Sequence, residues 1–310
     1  MSPENKKIAL IVGALLVVSF LNFQVNDYNN LTAQTSSGAI DWWYGFLRPK
    51  KYQEPKINEL PLDPTSIASG KNSYFKKRRG KYFILYYVPE NYYPVKYPDN
   101  LIKDILSISD SNWEDCLKRL ECPLSDINRV KRGKIIIYPS EELYNMAGGI
   151  RDGCYMRAEG AVLLNRPLGY EVVANRLLPH EIWHSASNYS CSSLYFSQAL
   201  SEGLAILREP EKYINPRIKN SAEAHQSDMG KVYSISELLS SDYPQFRDPI
   251  ERGDFYDQGT SLAKFLTEHL GSEKAVVDFG KNREFNNDDL KQKWYKWEER
   301  FVPQTELKVK

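Results

Sequence analysis

The sequence has little of several features that would each point to a particular class of protein. Basic and acidic side chains nearly balance, at 41 and 40, and the formal net charge of +1 provides no overall positive potential for nucleic acid. The 310 residues contain no internal repeat, no glycine-rich phosphate loop and no serine-nucleophile elbow. We therefore expect no nucleic-acid partner, and the 42% hydrophobic content predicts a globular chain with a sizeable core.

Histidine is also scarce, because only four occur in the chain, yet two of them stand four residues apart. Residues 180–184 read H-E-I-W-H, with Glu181 directly after His180 and His184 one helical turn later. Side chains at positions i and i+4 lie on the same face of an α-helix, so both imidazoles can reach one point. The pattern H-E-x-x-H is typical of zinc-binding helices. The alternative is a buried helix whose histidines are satisfied by hydrogen bonds.

Residues 198–207 supply a candidate for a third ligand, because a catalytic zinc usually has three protein ligands and one open position. Glu202 follows His184 at a distance that places it on the next helix, and Gly203 and a small apolar run come directly after it. With these residues the sequence resembles the gluzincin metallopeptidases, and in particular the bacterial peptidase-MA-like proteins. The alternative for Glu202 alone is a solvated helix carboxylate.

The resemblance implies a zinc-dependent peptidase that acts on a polypeptide substrate. His180, His184 and Glu202 would bind one Zn²⁺ per chain. Glu181 would act as general base on the metal-bound water. The implied architecture is a zincin-like α+β fold, in which a small mixed β-sheet and an active-site helix are followed by a mostly helical C-terminal part.

Two further segments take their expected roles from the same resemblance. Tyr256, in a Tyr-x-x-Gly sequence that ends at Gly259, stands where related aminopeptidases have a tyrosine that hydrogen-bonds the oxyanion of the intermediate. The exposed edge strand that binds extended substrate in such folds would be formed by Gly160, Ala161, Val162 and Leu163. The alternatives are a tyrosine that only packs and an ordinary strand of the sheet.

The chain departs from the aminopeptidases in three respects. The spacing from His184 to Glu202 is one residue shorter than theirs. The Gly-Ala-Met-Glu-Asn segment that recognises a free amino terminus in those enzymes is absent, which favours an endopeptidase. Ser201 stands where relatives often have an acidic residue before the ligand glutamate. The contacts that support the metal ligands are therefore expected to differ from theirs.

Residues 1–23 combine Lys6 and Lys7 with an apolar run from Ile8 to Leu21. This pattern is typical of an N-terminal signal-anchor or transmembrane segment, and the positive-inside rule places the remainder of the chain in the periplasm or outside the cell. A signal peptide that is cleaved to release a secreted protein is the alternative. The sequence thus predicts a membrane-anchored protein with an exported catalytic domain.

The rest of the chain divides into three parts by composition. Residues 24–79, with closely spaced prolines, predict a tether that includes an aromatic patch at residues 42–44. That patch either packs on the catalytic domain or lies at a membrane interface. The basic cluster at residues 76–79 is interpreted as a solvated loop. Residues 80–302 are predicted to form the catalytic domain, and residues 303–310 a tail.

Hydrophobic periodicity predicts an α+β domain. Strands are predicted over residues 82–88, 134–138 and 161–164, and helices over residues 100–120, 141–146, 170–187, 235–239 and 256–270, with two more between 273 and 301. Pro179 predicts a bend, or the start of a new helix, just before the zinc motif. Loops are predicted at residues 243–253 and around His225, which we expect to be exposed, whereas His269 is expected to cap a helix C-terminus.

Four cysteines in an exported chain predict disulfides. Four cysteines allow three pairings, and their positions favour Cys116 with Cys122 and Cys154 with Cys191. A zinc site built from cysteines is disfavoured, because such sites have closely paired spacing.

The sequence therefore predicts a zinc metallopeptidase of the gluzincin type, with an endopeptidase preferred. Two alternatives belong to other classes of protein. The chain could be a catalytically inactive relative that binds polypeptides in the same cleft, or a structural envelope protein that depends on its anchor and aromatic patch.

Overall fold

A computed structural model describes most of the chain beyond residue 61. The described residues are 62–71, 74–89, 97, 100–122, 133–149, 153–156, 160–165, 169–191, 197–227, 230–241, 244–282 and 287–302. All of them lie within one compact unit. The predicted aromatic patch at residues 42–44, most of the predicted tether and the predicted tail lie outside these ranges.

The fold is α+β, as predicted, with a small mixed sheet of five strands. The strands are β1 (Lys76–Arg79), β2 (Phe83–Tyr87), β3 (Gly133–Ile137), β4 (Gly153–Met156) and β5 (Ala161–Leu164). Their spatial order is β1-β2-β3-β5-β4, in which the three central strands are parallel and each edge strand is antiparallel to its neighbour. Both outer strands of the sheet are therefore short and antiparallel to their neighbours.

The central strands are mostly apolar, with Lys134 near the start of β3 as an exception, because the sheet is covered on both faces. Ile135 and Ile137 belong to the larger core, together with the helices that follow the sheet. Ile136, between them, points to the other face and packs with Tyr138 and Leu163 in a second core cluster. The run of three isoleucines thus serves two cores, as the alternation of side chains along a strand requires.

The folded unit begins earlier than the sequence predicts. Helix α1 (Pro64–Ala68) starts at Asp63, whose carboxylate accepts a hydrogen bond from the Ser66 N–H, and both Ile67 and Phe75 are buried in the second core cluster. The basic residues Lys76–Arg79 are not a loop but the edge strand β1. The predicted tether boundary at residue 79 is therefore wrong, because apolar residues before it complete the core. Four exposed charges on β1 suit an edge strand, since charge opposes pairing with another chain.

All described elements after β5 are helical, as predicted. Helices α2 (Leu101–Arg119) and α3 (Glu141–Met146) lie earlier in the chain, between strands. The later ones are α4 (Tyr170–Val172), a π-helical turn (Val173–Leu177), α5 (Leu178–Cys191), α6 (Gln198–Ile206), α7 (Glu211–Gln226), α8 (Ile235–Leu238), α9 (Pro249–Leu270), α10 (Glu273–Asn282), α11 (Asn287–Glu298) and a 3₁₀ turn (Glu299–Phe301). Two segments predicted as loops are thus helical: the region around His225, and the start of α9, which Asp248 caps.

The helix that carries the zinc motif passes Pro179 without ending there. Before the proline, the N–H of Leu178 bonds to the carbonyl of Val173, five residues earlier, and so forms a π turn. A proline lacks the N–H that an α-helix needs, and its ring clashes with the preceding turn. The wider π turn relieves that crowding, and α5 then continues regularly through the motif.

The predicted disulfide between Cys116 and Cys122 does not form. Cys116 is a free thiol, fully buried on α2 in the main core, and burial raises the pKa of this thiol to about 12. A buried thiol on a core-facing helical position behaves as a small apolar side chain. The predicted pairing of Cys154 with Cys191 involves the Cys191 side chain, which lies outside the described part of the structure.

The predicted membrane anchor, residues 1–23, also lies outside the described residues. A helical span of the bilayer needs about 20 mostly apolar residues. Across the part of the chain that the structure describes, no helix combines that length with that apolar character. The prediction of a membrane-anchored protein is corrected on this finding, because none of the described helices could serve as a transmembrane segment.

His225 is buried, which contradicts the prediction of an exposed loop. Its Nδ1 lies 2.5 Å from Oε2 of Glu298, and its ring stacks on Tyr295 with 3.9 Å between centroids. The other oxygen of Glu298 accepts hydrogen bonds from the hydroxyls of Ser221 and Ser261. One buried carboxylate therefore joins α11 to both α7 and α9.

We expect Glu298→Gln to lower the free energy of unfolding by about 1–3 kcal/mol, the usual cost of leaving a buried hydrogen-bonding group without its partner. An amide cannot accept from all three donors, so at least one would lose its partner. Chemical denaturation would measure the change. The exposed neighbour offers a matched control, Glu299→Gln, which should change stability by less than about 0.5 kcal/mol. Equal stability of the two variants would contradict the structural role of Glu298.

Candidate metal centre

Three side chains from two consecutive helices converge on one point. His180 and His184 lie one turn apart on α5, and Glu202 comes from α6. The two Nε2 atoms are 3.2 Å apart, and Oε2 of Glu202 is 3.5 Å from the first and 3.6 Å from the second. Each of these side chains is about 15% exposed, so the point where they meet is sheltered but open to solvent.

These three distances match the requirements of a tetrahedral metal ion. With metal–nitrogen and metal–oxygen bonds near 2.1 Å, the edge of a regular tetrahedron is about 3.4 Å. The observed triangle of 3.2, 3.5 and 3.6 Å fits that edge. Two imidazole nitrogens and one carboxylate oxygen also form a donor set that suits zinc. Of the described residues, these form the one group of histidine, cysteine or acidic side chains able to hold a metal.

The donor set favours positive charge at its centre. Burial alone would lower the pKa of His180, but hydrogen bonds to Glu202 and Glu209 outweigh it and hold that pKa above its usual range. Burial likewise opposes ionisation of Glu202, but the charge of His184 and hydrogen bonds from both imidazoles keep its pKa below the usual range. The three groups therefore stabilise a cation between them, and a bound metal ion would satisfy the same demand.

A second carboxylate contacts the far side of His180. Oε1 of Glu209 lies 3.0 Å from Nδ1 of the imidazole, and Oε2 accepts a hydrogen bond of 2.9 Å from Nε of Arg176. Glu209 follows α6, and its N–H still bonds to the carbonyl of Ile206. The sequence analysis missed this residue, although its position seven residues after Glu202 predicts the same helix face.

His184 has a weaker contact at the corresponding nitrogen. Its Nδ1 lies 3.4 Å from the hydroxyl of Ser201, beyond the usual range of a strong hydrogen bond. The sequence predicts different supporting contacts because Ser201 replaces an acidic residue, and the structure shows the hydroxyl facing the ligand. The two histidines are therefore held unequally, one by a buried carboxylate and one by a hydroxyl.

Glu181 is buried beside the edge strand β4 and interacts electrostatically with both imidazoles. A side chain at Gly153 on β4 would come within 3.8 Å of its Cγ, so the carboxylate lies against the edge strand. Burial raises the pKa of Glu181 above its usual range, while the charges of both histidines and a hydrogen bond from the Tyr155 backbone oppose that rise. A carboxylate with a raised pKa is better able to accept and return a proton near neutral pH.

The predicted edge strand is not at the edge. Gly160 precedes β5, and Ala161, Val162 and Leu163 lie within β5, which pairs with β3 on one side and β4 on the other. All described side chains of β5 are buried. The prediction that residues 160–163 form an exposed edge is therefore wrong, because the four-residue strand β4 folds back and covers it. Among the described strands, β4 is the outermost one on this side of the sheet.

The strand β4 is tied to the motif helix by a side-chain contact. Nδ2 of Asn188 donates a hydrogen bond of 3.1 Å to the hydroxyl of Tyr155. Asn188 lies four residues after His184, on the same face of α5 as both ligands. The helix that carries the two histidines therefore also contacts the edge strand β4.

Glu202 is positioned by an unusually close contact between α6 and α9. A side chain at Gly203 would place its Cβ 2.3 Å from the carbonyl oxygen of Gly259, and one at Gly259 would lie 2.7 Å from the oxygen of Ala199. The two backbones thus touch where neither residue carries a Cβ. The glycines of the Glu-Gly and Tyr-x-x-Gly sequences are therefore the two sides of one contact.

Tyr256 lies on α9, one turn before this contact. Its ring is partly buried and packs against the cluster of Ile206, Ile214 and Ile218. The neighbouring Asp257 pairs with Arg217, whose Nη1 is 2.7 Å from the carboxylate. The structure thus shows a packing role for Tyr256, and its predicted contact with the oxyanion stays a prediction.

Comparison with models of known protein families gives no match for this chain, and comparison with curated proteins gives none either. The resemblance to the gluzincins thus depends on the sequence of residues 180–184, 202–203 and 256–259.

We expect Gly203→Ala to lower the free energy of unfolding by about 1–3 kcal/mol, because the added methyl group forces the two backbones apart. Denaturant titration would measure the loss. Gly253→Ala, on the same helix α9, is a matched control because nothing lies within 4 Å of a Cβ built there. That control should be neutral or stabilising by up to about 1 kcal/mol. A stable Gly203→Ala protein would show that the contact is looser than described.

Proposed function

We propose that the protein is a zinc-dependent metallopeptidase of the gluzincin type, with a zincin-like fold and endopeptidase activity. The observation that carries this proposal is the triangle of two imidazole nitrogens and one carboxylate oxygen, with edges of 3.2, 3.5 and 3.6 Å. Two histidines that only hydrogen-bond to each other would not need a carboxylate oxygen at nearly equal distance from both. A catalytic zinc ion usually has such a third protein ligand.

His180, His184 and Glu202 would hold the metal through Nε2, Nε2 and Oε2. Zinc, when bound, supplies Lewis acidity, which polarises a carbonyl and makes a bound water easier to deprotonate. Three protein ligands leave the fourth position of a tetrahedral site open, as catalytic zinc sites do.

Glu181 is the residue that would move the proton. Its carboxylate accepts a proton from the attacking water and returns it to the nitrogen of the leaving amine. Both transfers are favoured by the burial of this side chain, which raises its pKa above the usual range. Its position between the ligand pair and the strand β4 supports this role.

A polypeptide substrate would bind along β4. An extended peptide can add a strand to an open sheet edge through backbone hydrogen bonds, which gives affinity with little dependence on sequence. Glu181 lies against Gly153, so a peptide paired with β4 would pass directly beside the proton-transfer group. Binding along β4, beside the carboxylate, would favour cleavage within a chain over recognition of a terminus.

We expect the full-length protein to bind one zinc per chain and Glu202→Gln to lose most of it, because an amide is a poor zinc ligand. Metal analysis after equilibration with zinc and gel filtration would measure the stoichiometry. Glu142→Gln, an exposed position on α3, is the matched control and should retain one zinc. Absence of zinc from a folded wild-type protein would contradict the proposal.

We expect Glu181→Gln to keep its zinc but lose hydrolysis by about 10²–10⁴-fold, the usual contribution of a general base. Release of fluorescence from a labelled unfolded polypeptide would measure the rate, beside metal analysis of the same samples. Full activity in this variant would contradict the mechanism. A zinc-loaded wild-type protein that binds the polypeptide without cleaving it would support the inactive, polypeptide-binding alternative instead.

A further inference from the structure

Glu209 is buried, and each of its two carboxylate oxygens has one partner. Oε1 faces Nδ1 of His180 at 3.0 Å, and Oε2 accepts from Nε of Arg176 at 2.9 Å. Its side chain is only 4% exposed, so an ionised carboxylate here needs both partners to offset the loss of water. The acid thus joins a candidate metal ligand to a fixed positive charge.

We propose that Glu209, held by Arg176, is a positioning residue that sets the tautomer and ring orientation of His180 for the metal. The inference rests on the proposed function, because the metal itself is part of that proposal. A carboxylate at Nδ1 keeps the proton on that nitrogen and leaves the Nε2 lone pair for the metal. It also raises the electron density of the ring and so strengthens the bond from Nε2.

Arg176 is fixed by the π turn that precedes the motif. It lies within Val173–Leu177, four residues before His180 on the same continuous helix. Its guanidinium also packs on the ring of Tyr213, with 5.0 Å from Cζ to the centroid. Tyr213 belongs to α7, so Arg176 is held between the carboxylate and a second helix. The π turn therefore has two roles. It relieves the steric crowding before Pro179, and it contains Arg176, which donates a hydrogen bond to Glu209.

The helix α6 and the turn after it hold both acids that contact His180. Glu202 faces Nε2 from α6, and Glu209 faces Nδ1 from the following turn. One stretch of chain thus presents a ligand to the metal and a partner to the opposite side of the same imidazole. His184 has only the hydroxyl of Ser201, at 3.4 Å, in the equivalent position. The zinc affinity should therefore depend far more on Glu209 than on Ser201.

Zinc affinity of the full-length protein, measured by competition with a chromophoric chelator, tests this inference. We expect Glu209→Gln to weaken zinc binding roughly 10- to 100-fold, because the amide lacks the charge and can turn its NH₂ group toward Nδ1. Arg176→Gln leaves the carboxylate in place but unanchored, so it should weaken binding by a smaller factor. Glu211→Gln, the same substitution at an exposed position two residues further on, is the matched control and should change zinc affinity by less than about 3-fold.

The visible spectrum of the cobalt-substituted protein provides a readout that general destabilisation does not move. Co²⁺ replaces Zn²⁺ in tetrahedral sites and reports the geometry of its ligands. A shifted spectrum in Glu209→Gln and an unshifted one in Glu211→Gln support the positioning role. Circular dichroism and thermal unfolding of the metal-free variants establish that they are folded.

The outcomes separate the two proposals. If the wild-type protein binds no zinc, the proposed function is wrong, and the inference about Glu209 is overturned with it. If the wild type binds zinc and Glu209→Gln matches it in affinity and cobalt spectrum, only the inference is overturned. Should Glu209→Gln not fold, the folded Arg176→Gln variant decides: weaker zinc binding supports the inference, and unchanged binding overturns it.

Discussion

The structure depends on bringing three electron-rich atoms to within 3.2–3.6 Å of one another. Such atoms repel unless a proton or a cation lies between them, so the surrounding chain has to force the approach and stabilise positive charge at its centre. The helix repeat brings the first two atoms together at little cost, because His180 and His184 are four residues apart. The third atom needs tertiary structure, and most of the contacts described above contribute to its placement.

The placement of Glu202 follows from backbone contact more than from side-chain packing. Gly203 and Gly259 let α6 and α9 touch, and Ser197 holds the start of α6 by accepting from the Leu200 N–H and donating to the carbonyl of Leu238. The sheet supplies the opposite wall, where Glu181 lies against β4. The candidate site is thus bounded by rigid elements on both sides, which favours precise geometry over adaptability.

Much of the candidate site could be predicted from the sequence, and the reason is local spacing. The histidine pair and Glu202 stand at intervals that helices convert directly into proximity. Glu209 was not predicted because its contact joins residues 29 apart and depends on how two helices cross. The edge strand was assigned to β5 because four residues that include Gly153 and Cys154 give little strand signal, whereas pairing order is a property of the whole sheet. His225 was misassigned because polar neighbours and nearby prolines suggest a loop, and its partner Glu298 lies 73 residues further along the chain.

The buried carboxylate of Glu298 has a consequence for the order in which the molecule is completed. It reaches Ser261 on α9, two residues after the glycine that contacts α6 beside Glu202. During synthesis the histidine pair leaves the ribosome more than a hundred residues before Glu298, so the nascent chain carries two of the three ligands long before the helices that fix the third are secured. Assembly of the site is therefore coupled to the arrival of α11 and is a late event in folding, as expected where distant segments must meet. The proposed peptidase activity would therefore arise only after folding has protected the backbone of the protein from hydrolysis by its own site.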